Sequence, residues 1–168
     1  VSETRVVGDV IRHARTMDQA TAVLTILDVL ASSSLSTTVT LTAGRGRGKS
    51  AALGLCLAAA IAHGYSNMFV TSPSPDNVRT LFEFVLKGLD ALGYEEVADW
   101  DLQRGTGEWK DTVVRINVFR GHRQTIQYIQ PQDHAVLSQA ELVVIDEAAA
   151  IPLPMVRALL GPYLVFLS

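Results

Sequence analysis

The chain has 168 residues, of which 48% are hydrophobic and 18% are charged. This composition predicts an ordered globular chain long enough to bury a sizeable core, and it excludes an intrinsically disordered polypeptide. The formal net charge is −3, from 14 basic and 17 acidic residues, so a general basic surface for nucleic acid is excluded. Any contact with nucleic acid must come from a local cluster or from parts of the protein outside this chain.

The first predicted element is a helix over about residues 16–31, which begins with a capping box at Thr16. The serines at 32–34 then mark a loop. We therefore divide the chain into an N-terminal helical segment, residues 1–36, and a lobe, residues 37–168. Because the chain begins with valine, we expect it to be a fragment of a longer protein.

Strands and helices alternate through the rest of the chain, which predicts an α/β fold with a mostly parallel sheet and helices on both faces. The polar stretch 94–110 is predicted to be an excursion at the edge of the sheet. Ligands of such folds bind outside the carboxyl ends of the strands. Strands are predicted at 38–42, 68–71, 113–119, 125–129, 142–145 and 163–167, and helices at 50–63, 76–92 and 153–160.

Residues 43–50 read Ala-Gly-Arg-Gly-Arg-Gly-Lys-Ser and match the phosphate-binding loop, except that Ala43 replaces its first glycine. Glycines let backbone N–H groups turn towards phosphate oxygens, and the helix that follows adds its N-terminal dipole. Lys49 is predicted to contact the β- and γ-phosphates of ATP or GTP as a catalytic residue, and Ser50 to bind Mg²⁺. The predicted nucleotide-binding residues are Gly44, Arg45, Gly46, Arg47, Gly48, Lys49, Ser50 and Ala51.

The same segment has an alternative interpretation as a dinucleotide-binding fingerprint, with Gly46, Gly48 and Ala51 in the small positions. That site needs an acidic residue near the end of the second strand to hold a ribose. Here the second strand ends at Thr71, and the next acidic residue, Asp76, follows two prolines. The dinucleotide interpretation also leaves the lysine and serine of the loop without a role, so the phosphate-binding loop is favoured.

A second motif is the apolar run 142–145 followed by Asp146 and Glu147. P-loop NTPases carry such an acidic pair at the end of a buried strand. Asp146 is predicted to hold Mg²⁺, most simply through water, and Glu147 to be the catalytic residue that orients and deprotonates the attacking water. The alternative is that Asp146 only caps the next helix, but its pairing with a phosphate-binding loop favours a RecA-like P-loop NTPase lobe.

Two segments are candidates for RNA contact. Thr71, Ser72 and Ser74 follow the second strand, and their hydroxyls suit contact with a phosphate backbone. Arg120 and Arg123 form the densest positive cluster outside the phosphate-binding loop. The alternatives are a proline-rich turn that caps a helix and a solvated hairpin turn, and both stay open.

Four longer strings resemble the RNA cytidine acetyltransferases, most closely the eukaryotic nucleolar members. They are TLTAGRGRGKSAALGL, GYSNMFVTSPSPDNVRTLFEFVLKGLDALGY, HRQTIQYIQPQDH and QAELVVIDEAAAIPLPMVRALLGPYLVF. The resemblance covers nearly the whole chain from about Thr16 and is weakest at 97–112. The family's nucleotide-site residues carry over onto Gly48, Lys49, Ser50, Asp146 and Glu147.

The resemblance implies a multidomain enzyme of the nucleus and nucleolus that makes N4-acetylcytidine in 18S rRNA and tRNA and supports small-subunit ribosome biogenesis. It implies acetyl-CoA as a cofactor of the full-length protein only, and Mg²⁺ with ATP or GTP. The implied partners are the two RNAs and a tRNA-binding adaptor protein. No membrane partner is expected, because the longest apolar run, residues 51–62, is too short to span a bilayer. Because the family continues beyond this chain, the resemblance also implies that the lobe, residues 37–168, is truncated at its C-terminal end. This chain is expected to bind nucleotide, to hydrolyse it slowly at most, and not to acetylate RNA. A non-hydrolysing, nucleotide-binding scaffold module in ribosome assembly is the alternative.

Overall fold

The computed structural model describes residues 38–40, 47–73, 75–107, 110 and 112–167, and seven of its segments are strands of one sheet. The strand order is β1-β7-β6-β2-β5-β4-β3. The four neighbouring pairs from β1 to β5 in this order are parallel. The last two pairs, β5 with β4 and β4 with β3, are antiparallel. The predicted mostly parallel sheet is therefore confirmed. The strands are β1 (Thr38–Thr40), β2 (Asn67–Thr71), β3 (Trp100–Arg104), β4 (Val113–Val118), β5 (Gln124–Tyr128), β6 (Leu142–Ile145) and β7 (Leu164–Leu167).

Helices cover both faces of this sheet, as predicted. Among the described residues, three are α-helices, α1 (Arg47–Ala62), α2 (Pro75–Ala91) and α3 (Leu153–Leu159), and two are 3-10 helices, Pro131–Gln139 and Ala148–Ala150. Side chains of α1 and α2 share a buried cluster with Met68, Val70 and other residues of one sheet face. The 3-10 helices and α3 pack with Val143 and Ile145 on the opposite face. Within the described segments, no helix combines the length and the apolar character needed to cross a bilayer.

The stretch predicted as an excursion at the edge of the sheet, residues 94–110, contains an edge strand, β3. Only Trp100 of this strand is buried, because β3 pairs with β4 on one side and exposes most of its side chains to water. A strand with a single buried residue lacks the alternation that predicts strands. The 3-10 helix after β5 is a further element that was not predicted, and the helix predicted over 16–31 lies outside the described residues.

Helix α1 is buried on all sides between the sheet and α2, and every residue from Ser50 to Ile61 is nearly inaccessible to solvent. Its contact with α2 is made through glycines. A Cβ atom added to Gly54 would lie 2.3 Å from the carbonyl oxygen of Leu81, and one added to Gly88 would lie 2.5 Å from Cβ of Ala58. The helix that follows the predicted phosphate-binding loop is therefore fixed within the core.

Cys56 lies in the middle of α1, is fully buried, and has a pKa raised by that burial. Because the thiolate is the reactive form, we expect the native chain to react with a disulfide reagent at least about a hundredfold more slowly than the unfolded chain. The measurement is the rate at which the reagent releases its leaving thiolate, with and without denaturant. Rapid, complete labelling of the native chain would contradict the position of this residue.

Candidate nucleotide-binding site

Ser50 and Asp146 meet at the carboxyl edge of the sheet. Ser50 lies in the first turns of α1, and Asp146 is the residue that follows β6. The hydroxyl Oγ of Ser50 donates a hydrogen bond to Oδ2 of Asp146 at 2.6 Å, and both residues are buried. The fold thus brings the end of the predicted phosphate-binding loop into contact with Asp146, and the two side chains offer hard oxygen ligands of the kind that Mg²⁺ prefers.

Backbone contacts hold Asp146 in place. Its N–H donates to the carbonyl of Thr71 in β2 at 3.0 Å, and its Oδ1 accepts from the N–H of Glu147 at 3.1 Å. Asp146 is not the N-cap of the next helix, since the 3-10 helix Ala148–Ala150 has Glu147 in that position and α3 has Pro152. The geometry therefore favours the role of Asp146 beside Ser50 over the capping alternative.

Glu147 has a left-handed backbone, with φ 52° and ψ 48°. Such a conformation is uncommon outside glycine and carries local strain that the surrounding fold must hold. It turns the chain away from β6 directly after Asp146, and the Glu147 residue is exposed. The two acids are thus in different environments, one buried against Ser50 and the other open to solvent.

The structure describes some of the other predicted nucleotide-binding residues. Arg47 and Gly48 begin α1, Lys49 is half-buried and Ala51 is buried. The helix is 16 residues long, and the N–H groups of its first turn and its dipole favour an anion at this end. Helix α1 begins at Arg47, inside the predicted loop, so the last loop residues already form its first turn. Three predicted site residues lie outside the described part of the chain, Gly44, Arg45 and Gly46.

The structure does not expose the hydroxyls that were predicted to touch RNA. Thr71 is 0% and Ser72 is 1% exposed, because the end of β2 lies between β6 and β5. The phenol of Tyr128 in β5 donates to the carbonyl of Ser72 at 3.2 Å, which fastens this segment from the other side. Ser74, the third predicted residue, lies outside the described residues. Neither Thr71 nor Ser72 therefore presents its hydroxyl on a surface that RNA could reach.

Arg120 and Arg123 lie in the turn that precedes β5, at the edge opposite Ser50 and Asp146. Both are exposed. The guanidinium of Arg120 lies 3.8 Å from a carboxylate oxygen of Asp99 and 4.8 Å from the ring centre of Tyr94. This arginine therefore supports the local packing of the β3–β4 region, and the structure does not bring the cluster to the candidate nucleotide site.

A cleft of about 640 Å³ lies between the ends of β4 and β5 and the 3-10 helix Pro131–Gln139. It contains none of the predicted site residues. Its polar lining is mainly amides, and Asp133 is the one charged side chain among the lining residues. That carboxylate and burial together raise the pKa of Tyr128, with burial the larger cause. Sequence patterns missed this cleft because it depends on a 3-10 helix. Its lining comprises Gly105, Thr106, Val114, Gln127, Tyr128, Ile129, Gln130, Gln132, Asp133, Ala135 and Val136.

Solved structures with a similar fold include the ATPases of viral large terminases. The large terminase of a thermophilic bacteriophage, in complex with ADP, has a TM-score of 0.60 at 12% identity, over 90% of this chain and 38% of that one. The ATPase domain of the large terminase of a Thermus phage has a TM-score of 0.52 at 18% identity, over 83% and 62% of the two chains. At these identities the likeness establishes the P-loop ATPase fold alone.

Sequence comparison is more specific. Curated proteins named RNA cytidine acetyltransferase are 62% identical in Dictyostelium discoideum and 60% identical in Homo sapiens, each over 100% of this chain, and 58% identical over 96% of it in Saccharomyces cerevisiae. The chain spans only about 16% of the length of these relatives. Residues 40–168 match the family described as RNA cytidine acetyltransferase NAT10/TcmA, helicase domain. The chain therefore belongs to the RNA cytidine acetyltransferase family and corresponds to its helicase domain.

Proposed function

We propose that this chain is the ATP-binding and ATP-hydrolysing, helicase-like module of a longer RNA cytidine acetyltransferase. The observation that carries the proposal is the 2.6 Å contact between Ser50 Oγ and Asp146 Oδ2. Residues from two distant motifs share a buried position beside the N-terminal end of a long helix, which is the arrangement that a nucleotide with its Mg²⁺ requires.

In this proposal the N-terminal N–H groups of α1 and the ammonium of Lys49 bind the phosphates. Ser50 and Asp146 would hold Mg²⁺, which when bound neutralises charge on the phosphate oxygens. Glu147 orients a water molecule and accepts its proton as the water oxygen attacks the γ-phosphorus. The bond from that phosphorus to the bridging oxygen breaks, and ADP and inorganic phosphate leave.

We further propose that hydrolysis of ATP or GTP supports the formation of N4-acetylcytidine in 18S rRNA and tRNA, in the nucleolus and during small-subunit ribosome biogenesis. The names of the relatives support an RNA substrate, and their much greater length provides room for a separate acetyl-CoA site. A tRNA-binding adaptor protein would be a partner of the longer polypeptide. Neither acetyl-CoA nor the adaptor is assigned a site on this chain.

Calorimetric titration of Mg²⁺-ATP into the chain and into Lys49→Ala tests the proposal. We expect micromolar binding by the native sequence and binding at least tenfold weaker in the variant, a loss of about 1.4 kcal/mol. Lys87→Ala is a matched control, because Lys87 lies in α2, where it pairs with Glu83 at 3.3 Å and contacts the Phe84 ring. A folded chain that binds no Mg²⁺-ATP would refute the proposal, and preferential binding of NAD would revive the dinucleotide interpretation.

A further inference from the structure

Thr71, the last residue of β2, carries a buried hydroxyl without a hydrogen-bond partner among the described residues. The residue is 0% exposed. Buried hydroxyls are nearly always paired, because an unpaired one forfeits the hydrogen bonds that water would provide. Valine has the same shape and would fill this position without that cost, so the hydroxyl itself calls for a functional explanation.

The position of Thr71 in the sheet places its backbone beside Asp146 and its side chain on the same face as Ile145. Thr71 is the register partner of Ile145, and its carbonyl accepts the N–H of Asp146 at 3.0 Å. Register partners of parallel strands direct their side chains to the same face of the sheet. Ile145 lies on the face against which Ala148 packs. The Thr71 side chain therefore lies on the sheet face that the chain covers after its turn at Glu147.

The backbone around this hydroxyl is held from several sides. β2 pairs with β6 on one side and with β5 on the other, and the Tyr128 phenol is bonded to the carbonyl of Ser72, the next residue. Glu147, by contrast, is exposed and leaves the sheet in a left-handed conformation. Thr71 therefore provides a hydroxyl donor on a rigid strand, next to the point where the chain turns at Glu147.

We propose that Thr71 is a positioning residue for Glu147. In the nucleotide-bound protein its hydroxyl donates a hydrogen bond to the Glu147 carboxylate and holds it towards the attacking water. The inference rests on the proposed function, because it concerns the same hydrolytic site. It assigns the hydroxyl a partner in the working state, which explains why a buried donor is retained at the end of β2.

The test compares Thr71→Val and Thr71→Ser in the longer polypeptide, by steady-state ATP hydrolysis and by thermal unfolding without nucleotide. We expect Thr71→Val to lower kcat at least about tenfold with KM within about twofold of the native value, as for an interaction made in the transition state. Its unfolding temperature should equal or exceed that of the native protein, since an unpaired hydroxyl has been removed. Thr71→Ser should restore most of kcat.

Thr125→Val is the matched control, because Thr125 lies at the opposite end of the neighbouring strand β5 and its substitution should leave kcat unchanged. An unchanged kcat in Thr71→Val would overturn the inference. So would a fall in both kcat and unfolding temperature that serine fails to reverse, because that pattern indicates a purely structural role. Failure of the native protein to bind Mg²⁺-ATP in the calorimetric titration would instead refute the proposed function, and the inference with it.

Discussion

Gly54→Ala is expected to destabilise the chain by about 3 kcal/mol, although alanine is the better helix former. The added methyl group would lie 2.3 Å from the Leu81 carbonyl oxygen and 2.8 Å from Cβ of Phe84. Both are backbone or near-backbone atoms of α2 and cannot rotate away. Relief requires α2 to move from α1, which opens the main buried cluster. The measurement is the free energy of unfolding in urea, monitored by circular dichroism.

Gly121→Ala provides the control for this prediction. Gly121 is exposed in the turn before β5, and no heavy atom lies within 4 Å of a Cβ added there. Its substitution should change the free energy of unfolding by less than about 0.5 kcal/mol. Equal stability of the Gly54 and Gly121 variants would show that α1 and α2 do not approach as closely as the structure indicates.

Glu147→Gln is expected to leave Mg²⁺-ATP binding intact and to lower ATP hydrolysis at least about a hundredfold, because the amide keeps the shape of the side chain but cannot accept the proton of water. Binding is measured by calorimetry, and hydrolysis by phosphate release from the longer polypeptide. Glu141→Gln is a matched control. Glu141 is exposed and precedes β6, at the end of that strand opposite Glu147, and its N–H is bonded to the carbonyl of Asn67.

RNA acetylation by the Glu147→Gln protein decides what the nucleotide does. If hydrolysis drives the reaction, acetylation should fall together with phosphate release. If acetylation survives while ATP remains bound, hydrolysis is dispensable and the module acts as a nucleotide-dependent scaffold. Unchanged hydrolysis in Glu147→Gln would contradict the assignment of Glu147 as the catalytic base.

The elements best predicted from the sequence are those buried on two faces. The bounds of β6, Leu142–Ile145, are those predicted from its run of four apolar residues, all of which are buried. The edge strand β3 was missed because only Trp100 is buried there and solvent replaces the contacts that create an apolar pattern. The apolar pattern of a sequence thus reflects burial, so an element with few buried residues is hard to predict from that pattern.

The candidate site could be predicted where the residue types themselves specify chemistry. Ser50 and Asp146 were expected to share a metal site, and the fold places them in contact. The proposed RNA contacts depended on exposure and on position in the sheet, which local sequence does not encode. Ser72 is buried between neighbouring strands, and Arg120 lies at the opposite edge because the turn before a strand lies at that strand's amino end. The unpaired hydroxyl of Thr71 is visible only once the packing around it is known.

The position of β1 also bears on the order in which the lobe folds. Among the described strands, β1 pairs with β7 alone, and β7 is the last of them along the chain. Contacts between segments distant in sequence form late, because closing a long loop costs more chain entropy than closing a hairpin. We therefore expect the local β3–β4–β5 meander to form early and β1 to dock late. During synthesis, the strand before the predicted phosphate-binding loop would pair only after β7 has formed, so nucleotide binding would report that β1 and β7 have paired.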